Sequence, residues 1–148
     1  MAKRNLNKMG YEVCKKWAKN FYKKIGSILS PALDNQYIFF NNTGFNHLIR
    51  KLSIRSRNEQ KRRFLLLPKV ESILKNPKAI VVYRKEEKKI LIKRKKVKVL
   101  KESIIHYWTF VHFTDSKRIK VVIRQINNGS KNFYSVMDKK TEKQKIRL

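Results

Sequence analysis

The sequence contains little cysteine and no long apolar segment. Its one cysteine among 148 residues, Cys14, cannot form an internal disulfide or supply a cysteine-rich zinc or iron site, so we expect a reducing compartment. No run of 18 apolar residues occurs, and the basic residues 1–8 are followed by Tyr11, Trp17 and lysines where a signal peptide would be apolar. These features predict a soluble, cytoplasmic protein without a membrane-spanning segment.

Acidic residues are also scarce. Ten Asp and Glu face 38 Lys and Arg, which gives a net charge of +28 at pH 7. Self-repulsion on this scale favours a strongly anionic partner, which can be nucleic acid, an acidic protein or an anionic lipid surface. Two-metal nucleases need clustered carboxylates to hold Mg²⁺, whereas the acidic residues here are scattered, so we expect no metal and no other cofactor.

Apolar residues are frequent enough for a modest core. Hydrophobic residues make up 41% of the chain and aromatic residues 11%, at a length typical of one domain. We therefore expect residues 1–148 to form a single domain, with a polar, frayed tail over residues 138–148.

The hydrophobic pattern predicts helices first and strands later. Apolar residues spaced by four predict an amphipathic helix over residues 8–29, which packs on the core or binds a membrane or partner. Residues 37–40 predict a buried strand, and the Asn-rich residues 41–44 a turn. Ser56 and Glu59 form a capping box for a further helix, which Pro68 kinks or divides.

From residue 79 onward, short β-branched and aromatic runs separated by polar turns predict an antiparallel meander. Helices followed by a series of strands indicate an α+β fold, with the helices packed on one face of the sheet.

Two basic clusters offer candidate anion sites. Residues 50–63 hold seven Lys and Arg against one Glu, and Arg55 and Arg57 flank the predicted helix cap. A helix N-terminus and the planar arginine fork both suit phosphate. Residues 84–101 hold ten Lys and Arg against two Glu, which is typical of a solvated, protected sheet edge or of a surface that follows phosphates.

His47 is the most suggestive candidate for proton transfer. Metal-free RNA cleavage needs a base for the 2′-hydroxyl, an acid for the leaving oxygen and cations for the phosphorane. His47 precedes Arg50 and Lys51, so a phosphate held by those cations could come within its reach. The nearby cations also disfavour its protonated form, which suits a base. His106 and His112 lie in an apolar strand, where histidines are more often packed or on the surface.

An ordered set of short motifs extends over residues 37–137. It comprises residues 44–51, 55–57, 62–64, 67–68, 75–77, 107–108, 121–124 and 133–136. No single motif is specific, but together they resemble the phage-type branch of the barnase/EndoU/colicin/RelE superfamily of small ribonucleases.

The resemblance implies N-terminal helices packed on a four-stranded antiparallel sheet, and metal-independent cleavage of RNA. It also implies a toxin held in check by an antitoxin or immunity protein, which we expect to be acidic. By position, His47 would be the catalytic histidine, Arg124 the arginine facing the scissile phosphate and Ser135 the polar residue of the last strand. The predicted substrate-binding residues are Arg50, Lys51, Arg55, Arg57, Arg62 and Tyr134.

Three hypotheses remain open on the sequence alone. The first is the metal-independent endoribonuclease of toxin type, in which Tyr134 or Trp108 stacks a base, although the apolar strand around Trp108 favours core packing for that residue. The second is a non-catalytic RNA- or DNA-binding protein, in which the same cations only neutralise phosphates. The third is a protein that binds anionic membranes through its first helix.

Overall fold

The fold is described by a computed structural model covering residues 10–49 and 56–140. Helices occupy the first half of the described chain and long strands the second. In chain order the elements are α1 (Tyr11–Ile25), β1 (Ser27–Ser30), a short 3-10 helix (Pro31–Leu33), β2 (Gln36–Phe39), α2 (Asn42–Ile49), α3 (Arg57–Lys75), β3 (Ile80–Arg94), β4 (Val97–Phe113), β5 (Lys117–Ile126) and β6 (Lys131–Lys140).

The six strands form one mixed sheet in the order β1-β2-β6-β5-β4-β3. The predicted α+β class is confirmed, and β3 to β6 form the predicted antiparallel meander. The expected four-stranded antiparallel sheet is matched in part: β3 to β6 form it, but β1 and β2 extend it to six strands and β2 runs parallel to β6.

The first predicted helix is too long. Within the described residues α1 ends at Ile25, because Gly26 adopts a positive φ of 62° and the chain then enters β1. Residues 8 and 9 lie outside the described chain. The buried face of α1 includes Cys14, whose pKa is raised by burial of the thiol.

The Asn-rich residues predicted as a turn instead begin a helix. The side chain of Asn41 accepts a hydrogen bond from the backbone N–H of Gly44 at 3.2 Å, in the manner of a helix N-cap, and α2 follows at once. The Ser56 cap of α3 is confirmed, since its Oγ accepts from the Glu59 N–H at 3.2 Å. Pro68 lies inside α3 without dividing it.

Helix α3 packs across the sheet and α1 packs on α3. The side chains at their interface with the sheet form one apolar core. Its largest fully buried members include Phe64, Leu67, Leu74, Phe110, Ile123 and Phe133.

The runs predicted as several short strands after residue 79 join into one long hairpin. Strands β3 and β4 pair from Ile80↔Val111 to Arg94↔Val97, and only Lys95 and Lys96 connect them. The predicted frayed tail is also wrong at its start. Residues 138–140 belong to β6, because the carboxylate of Asp138 is 2% exposed and pairs with Arg62 and Lys117 at 2.6 and 3.3 Å.

We predict that Gly44→Ala destabilises the fold, although alanine normally favours a helix interior. A Cβ at Gly44 would overlap the carbonyl oxygen of Phe133 and the hydroxyl of Tyr22. Overpacking of this kind costs about 1–3 kcal/mol in the free energy of unfolding, which urea denaturation measures. The matched control is Gly10→Ala, since a Cβ there meets nothing within 4 Å. An unchanged stability of Gly44→Ala would refute the close packing of α2.

A second prediction concerns the turn of the long hairpin. Lys95 and Lys96 have φ values of 46° and 67°, which L side chains adopt at a cost of about 1 kcal/mol each and which Asn-Gly tolerates best. The double variant Lys95→Asn, Lys96→Gly should slow amide hydrogen exchange near the tips of β3 and β4. Lys95→Gln, Lys96→Gln removes the same charges but keeps the strain, and should not. If amide hydrogen exchange slows equally in both variants, the removal of charge rather than the relief of backbone strain is the cause.

Candidate functional site

Helix α2 brings His47 to the edge of the sheet. Strand β2 pairs with β6 only through Ile38 and Phe39, and α2 then packs along β6 where β2 has ended. Since Leu48 of α2 is buried in the core, the helix is fixed in rotation. His47 lies against Tyr134, with their ring centroids 4.1 Å apart and the rings inclined by 20°.

Tyr134 occupies a β-bulge. Phe133 pairs with Ile123 and Ser135 with Val122, so Tyr134 is the extra residue that has no partner across the strand. A bulge redirects side chains and locally changes the alternation of faces. As a result Phe133 points into the core while Tyr134, directly after it, lies on the opposite face.

The neighbouring strands continue this face with an arginine and a tyrosine. The Arg124 guanidinium of β5 lies over the Tyr134 ring at 4.3 Å, and Arg124 is the cross-strand partner of Tyr107 in β4. The rings of Tyr107 and Tyr134 meet edge to face, with their centroids 6.0 Å apart. The Arg84 guanidinium of β3 lies over the Tyr107 ring at 4.2 Å.

These contacts produce a continuous band of side chains across one end of the sheet, on the face opposite the helical core. We call it the sheet-face row. It consists of His47, Tyr134, Arg124, Tyr107 and Arg84.

The charge at the end of the sheet-face row is mostly positive. Arg84 pairs with Glu86 at 3.2 Å, and Glu86 also pairs with Lys88 at 3.1 Å. The hydrogen bond from Lys88 lowers the pKa of Glu86 and raises the pKa of Lys88. Lys88 therefore remains a cation and Glu86 an anion around neutral pH. The single carboxylate of Glu86 only partly neutralises the charges of Arg84 and Lys88.

The sheet-face row combines the two features that single-stranded nucleic acid requires. Arginine forks bind phosphate with two parallel hydrogen bonds, and aromatic faces stack unpaired bases. The imidazole of His47 lies at one end of the same band, where it could exchange a proton with a bound ribose or phosphate.

Ser135, in contrast, lies outside the sheet-face row. It is 3% exposed, and its Oγ accepts a hydrogen bond from Arg63 Nη1 at 3.2 Å. The same nitrogen donates to the carbonyl of Val136 at 2.9 Å, and Arg63 Nε pairs with Glu59 at 2.7 Å. The Ser135 hydroxyl therefore joins α3 to β6, which is a structural task.

The basic cluster at the start of α3 is divided. Arg57 lies over the ring of Tyr11 at 4.7 Å, and Arg62 is held by the Asp138 carboxylate. Both belong to contacts between secondary-structure elements, and neither joins the sheet-face row. Residues 50, 51 and 55, which carry the predicted phosphate ligands Arg50, Lys51 and Arg55, lie outside the described residues.

A second aromatic group lies on the helix-facing side of the same sheet. Tyr83 Oη and His106 Nδ1 are 2.6 Å apart, and both rings neighbour Trp108, with centroids at 5.4 and 5.8 Å. Lys131 Nζ lies 4.8 Å from the Trp108 ring, and Trp108 also packs against the core. The structure thus separates His106 from His47 by the thickness of the sheet.

Sequence reasoning missed Arg84 and Tyr107 as members of the site. Their signal was present in the sequence, since each belongs to a strand run in which alternate residues share a face. What could not be read is the pairing of Arg84 with Tyr107 and of Tyr107 with Arg124, which depends on strand register.

The described residues contain no group of metal ligands and no helix that could span a bilayer. In residues 10–49 and 56–140, no three His, Cys, Asp or Glu side chains are grouped as metal ligands. None of the helices in that part of the chain has the length and apolarity needed to cross a bilayer.

Comparison of the chain with family models, with curated proteins and with solved structures found no match. The resemblance to the small ribonucleases therefore stays a prediction, and the geometry of the sheet-face row carries the functional argument.

We predict that Arg124→Gln weakens binding of a short single-stranded RNA by about tenfold, because it removes the guanidinium fork that can bind a phosphate beside Tyr134. The matched control is Arg118→Gln, which removes the same charge from the other end of β5. Fluorescence anisotropy at constant salt measures both. Equal losses in the two variants would mean that only net charge matters.

Proposed function

We propose that the protein is a metal-independent endoribonuclease of toxin type that cleaves RNA by attack of the 2′-hydroxyl, acting in the cytoplasm. The observation that carries the proposal is the stacking of His47 on Tyr134, with the Arg124 guanidinium over the same tyrosine ring. His47, as the proton-transfer group, and Arg124, as the phosphate-binding cation, thereby both contact the ring of Tyr134, which would stack a base.

The reaction needs three actions, and the sheet-face row offers residues for each. Arg124 and Arg84 would bind the phosphate and stabilise the negative charge that grows on the phosphorane. His47 would act as base or acid, either taking the proton of the 2′-hydroxyl or protonating the departing 5′-oxygen. The hydroxyl of Tyr134 would take the opposite role, whereas Tyr107 is 7% exposed and packs between Arg84 and Tyr134. The products would be a 2′,3′-cyclic phosphate and a free 5′-hydroxyl.

Binding of a single-stranded segment fits the same surface. Tyr134 is partly exposed, with His47 on one face of its ring and Arg124 on the other, so an unpaired base would stack there as Arg124 leaves the ring to bind its phosphate. A paired base would be hidden in its duplex and could not reach the ring. The site therefore favours cleavage at unpaired nucleotides.

An inhibitory partner is part of the proposal. A positively charged band that must be exposed to RNA is readily covered by an acidic protein, since complementary charge accelerates association. We propose an acidic antitoxin or immunity protein that occupies the sheet-face row. Competition between that protein and RNA would follow directly from their shared contact with Arg84 and Arg124.

The second candidate function is RNA or DNA binding without catalysis. It is favoured by the net charge of +28, which is far larger than one active site needs. In that case the same arginines bind phosphates and His47 only supports the ring of Tyr134.

Cleavage of total RNA in excess EDTA distinguishes the two functions. We expect wild type to produce fragments that end in cyclic phosphate, and His47→Ala to cut about 10²–10⁴-fold more slowly while it still binds RNA. His112→Ala is the control, because His112 lies on β4 away from the sheet-face row and should retain activity. RNA that stays intact with wild type but is retarded on a gel would support the non-catalytic function.

A second variant separates loss of chemistry from loss of packing. His47→Phe keeps an aromatic ring against Tyr134 but removes the nitrogens. It should be as inactive as His47→Ala, and urea denaturation establishes that the variant is folded. Activity in His47→Phe would exclude His47 as the proton-transfer group.

A further inference from the structure

The basic run over residues 84–101 forms most of a projecting hairpin. Strand β5 pairs with β4 only from Ile105 to Phe113, so the rest of the β3–β4 hairpin extends past the sheet. We call this projecting part, residues 87–104, the arm. Eight residues on each strand at about 3.3 Å per residue give it a length of about 26 Å.

Apolar cross-strand pairs explain how the arm stays folded. A two-stranded hairpin is marginal on its own. Leu91 faces Leu100, and Ile92 faces Val99 on the other side of the ribbon. Each such pair stabilises the hairpin by a fraction of a kcal/mol to about 1 kcal/mol. These apolar residues therefore stabilise the arm.

The charges of the arm form an unusually dense cationic surface. It has eight Lys and Arg against Glu87 and Glu102, and all eight cations lie in residues 88–101, where no acidic residue occurs. A nucleic-acid strand with phosphates about 3.4 Å apart places seven or eight phosphates along about 26 Å. The eight cations therefore approach one per phosphate of a single strand, although the strand register divides them between the two faces of the arm.

The arm continues directly from the sheet-face row. Arg84, Glu86 and Lys88 are alternate residues of β3 and share one face, and Lys101 of β4 lies on that face opposite Ile90. A nucleic acid bound at Arg124 and Arg84 can therefore extend along the arm without leaving this face.

The arm differs from the sheet-face row in one respect that identifies its ligand. No Phe, Trp or Tyr occurs between residues 84 and 106, so the arm has no ring on which an unpaired base could stack. Seven of its eight cations are lysines, which bind phosphates as point charges rather than reading base edges. A duplex exposes phosphates and hides its bases, and so it matches the arm.

We propose that the arm binds the phosphate backbone of an RNA duplex while the sheet-face row binds unpaired nucleotides next to it. The substrate is then a folded RNA in which an unpaired segment adjoins a stem. This proposal rests on the proposed function for the identity of the nucleic acid, and its test reads binding rather than cleavage.

The test compares two RNAs by fluorescence anisotropy. One is a stem-loop and the other is the loop sequence alone, both with 2′-deoxyribose in the unpaired segment so that no 2′-hydroxyl can attack. The arm variant is Lys88→Gln, Arg94→Gln, Lys101→Gln, which removes the three cations at register positions on the face of Arg84 and leaves the turn unchanged. The matched control is Lys16→Gln, Lys19→Gln, Lys23→Gln, which removes three exposed lysines from α1.

We expect the arm variant to lose about tenfold to a hundredfold in affinity for the stem-loop at about 150 mM salt, and to keep its affinity for the loop alone. The slope of log K against log salt for the stem-loop should fall by about 2 to 3. The control should change both affinities by the same small factor. Circular dichroism establishes that both variants are folded.

Three results would overturn the proposal. They are an arm variant that binds the stem-loop as wild type does, equal losses for the two RNAs, and a DNA stem-loop of the same sequence bound as tightly and with the same dependence on the arm. The outcome is separable from that of the proposed function. Wild type that prefers the stem-loop through its arm but cuts no RNA would support the arm and refute the nuclease.

Discussion

The close approach of α2 to β6 at Gly44 is the contact on which the site depends. A glycine there allows the helix backbone to lie against the carbonyl of Phe133, beside the hydroxyl of Tyr22, which donates to the carbonyl of Asn41 at 2.7 Å. Three residues further along the helix comes His47, and one residue further along the strand comes Tyr134. The stacking of these two rings is thus a consequence of how tightly two backbones pack.

The second constraint is the use of scarce carboxylates. Asp138 holds Arg62 and Lys117, and Glu59 holds Arg63. Asp138 thereby joins β6 to α3 and β5, and Glu59 holds the Arg63 side chain that reaches Ser135 of β6. Residues 88–101 of the arm contain eight Lys and Arg and no acidic residue, and Lys88 pairs with Glu86 just before them. A chain with this distribution concentrates its uncompensated charge where the proposed RNA would bind.

The sequence predicted those features that depend on local pattern, such as the α+β class, the Ser56 cap and the strand-rich second half. The prediction failed where one local sequence pattern is compatible with two different structures. The Asn-rich residues 41–44 suit a turn and a helix cap equally, and only the fold decides between them. Short apolar runs over residues 80–113 did not reveal that they belong to two long strands, because the polar residues between them are solvated strand positions of the arm.

The candidate site was predictable in its residue types but not in its assembly. His47, Arg124 and Tyr134 were named from the sequence, and the structure brings these three together. Ser135 was named with them, yet the bulge at Tyr134 leaves it buried against Arg63. Arg84 and Tyr107 were missed because the pairing register between strands places them beside Arg124. The sequence of one strand does not determine that register.

The most direct test of the account is a nuclear magnetic resonance titration of the full chain with a short single-stranded RNA that carries 2′-deoxyribose. The account predicts that the largest shifts of backbone amides fall at Tyr134, Arg124 and Tyr107. Shifts concentrated instead at Tyr83, His106 and Trp108 on the other face of the sheet, or on α1, would contradict the central claim that the sheet-face row binds the RNA.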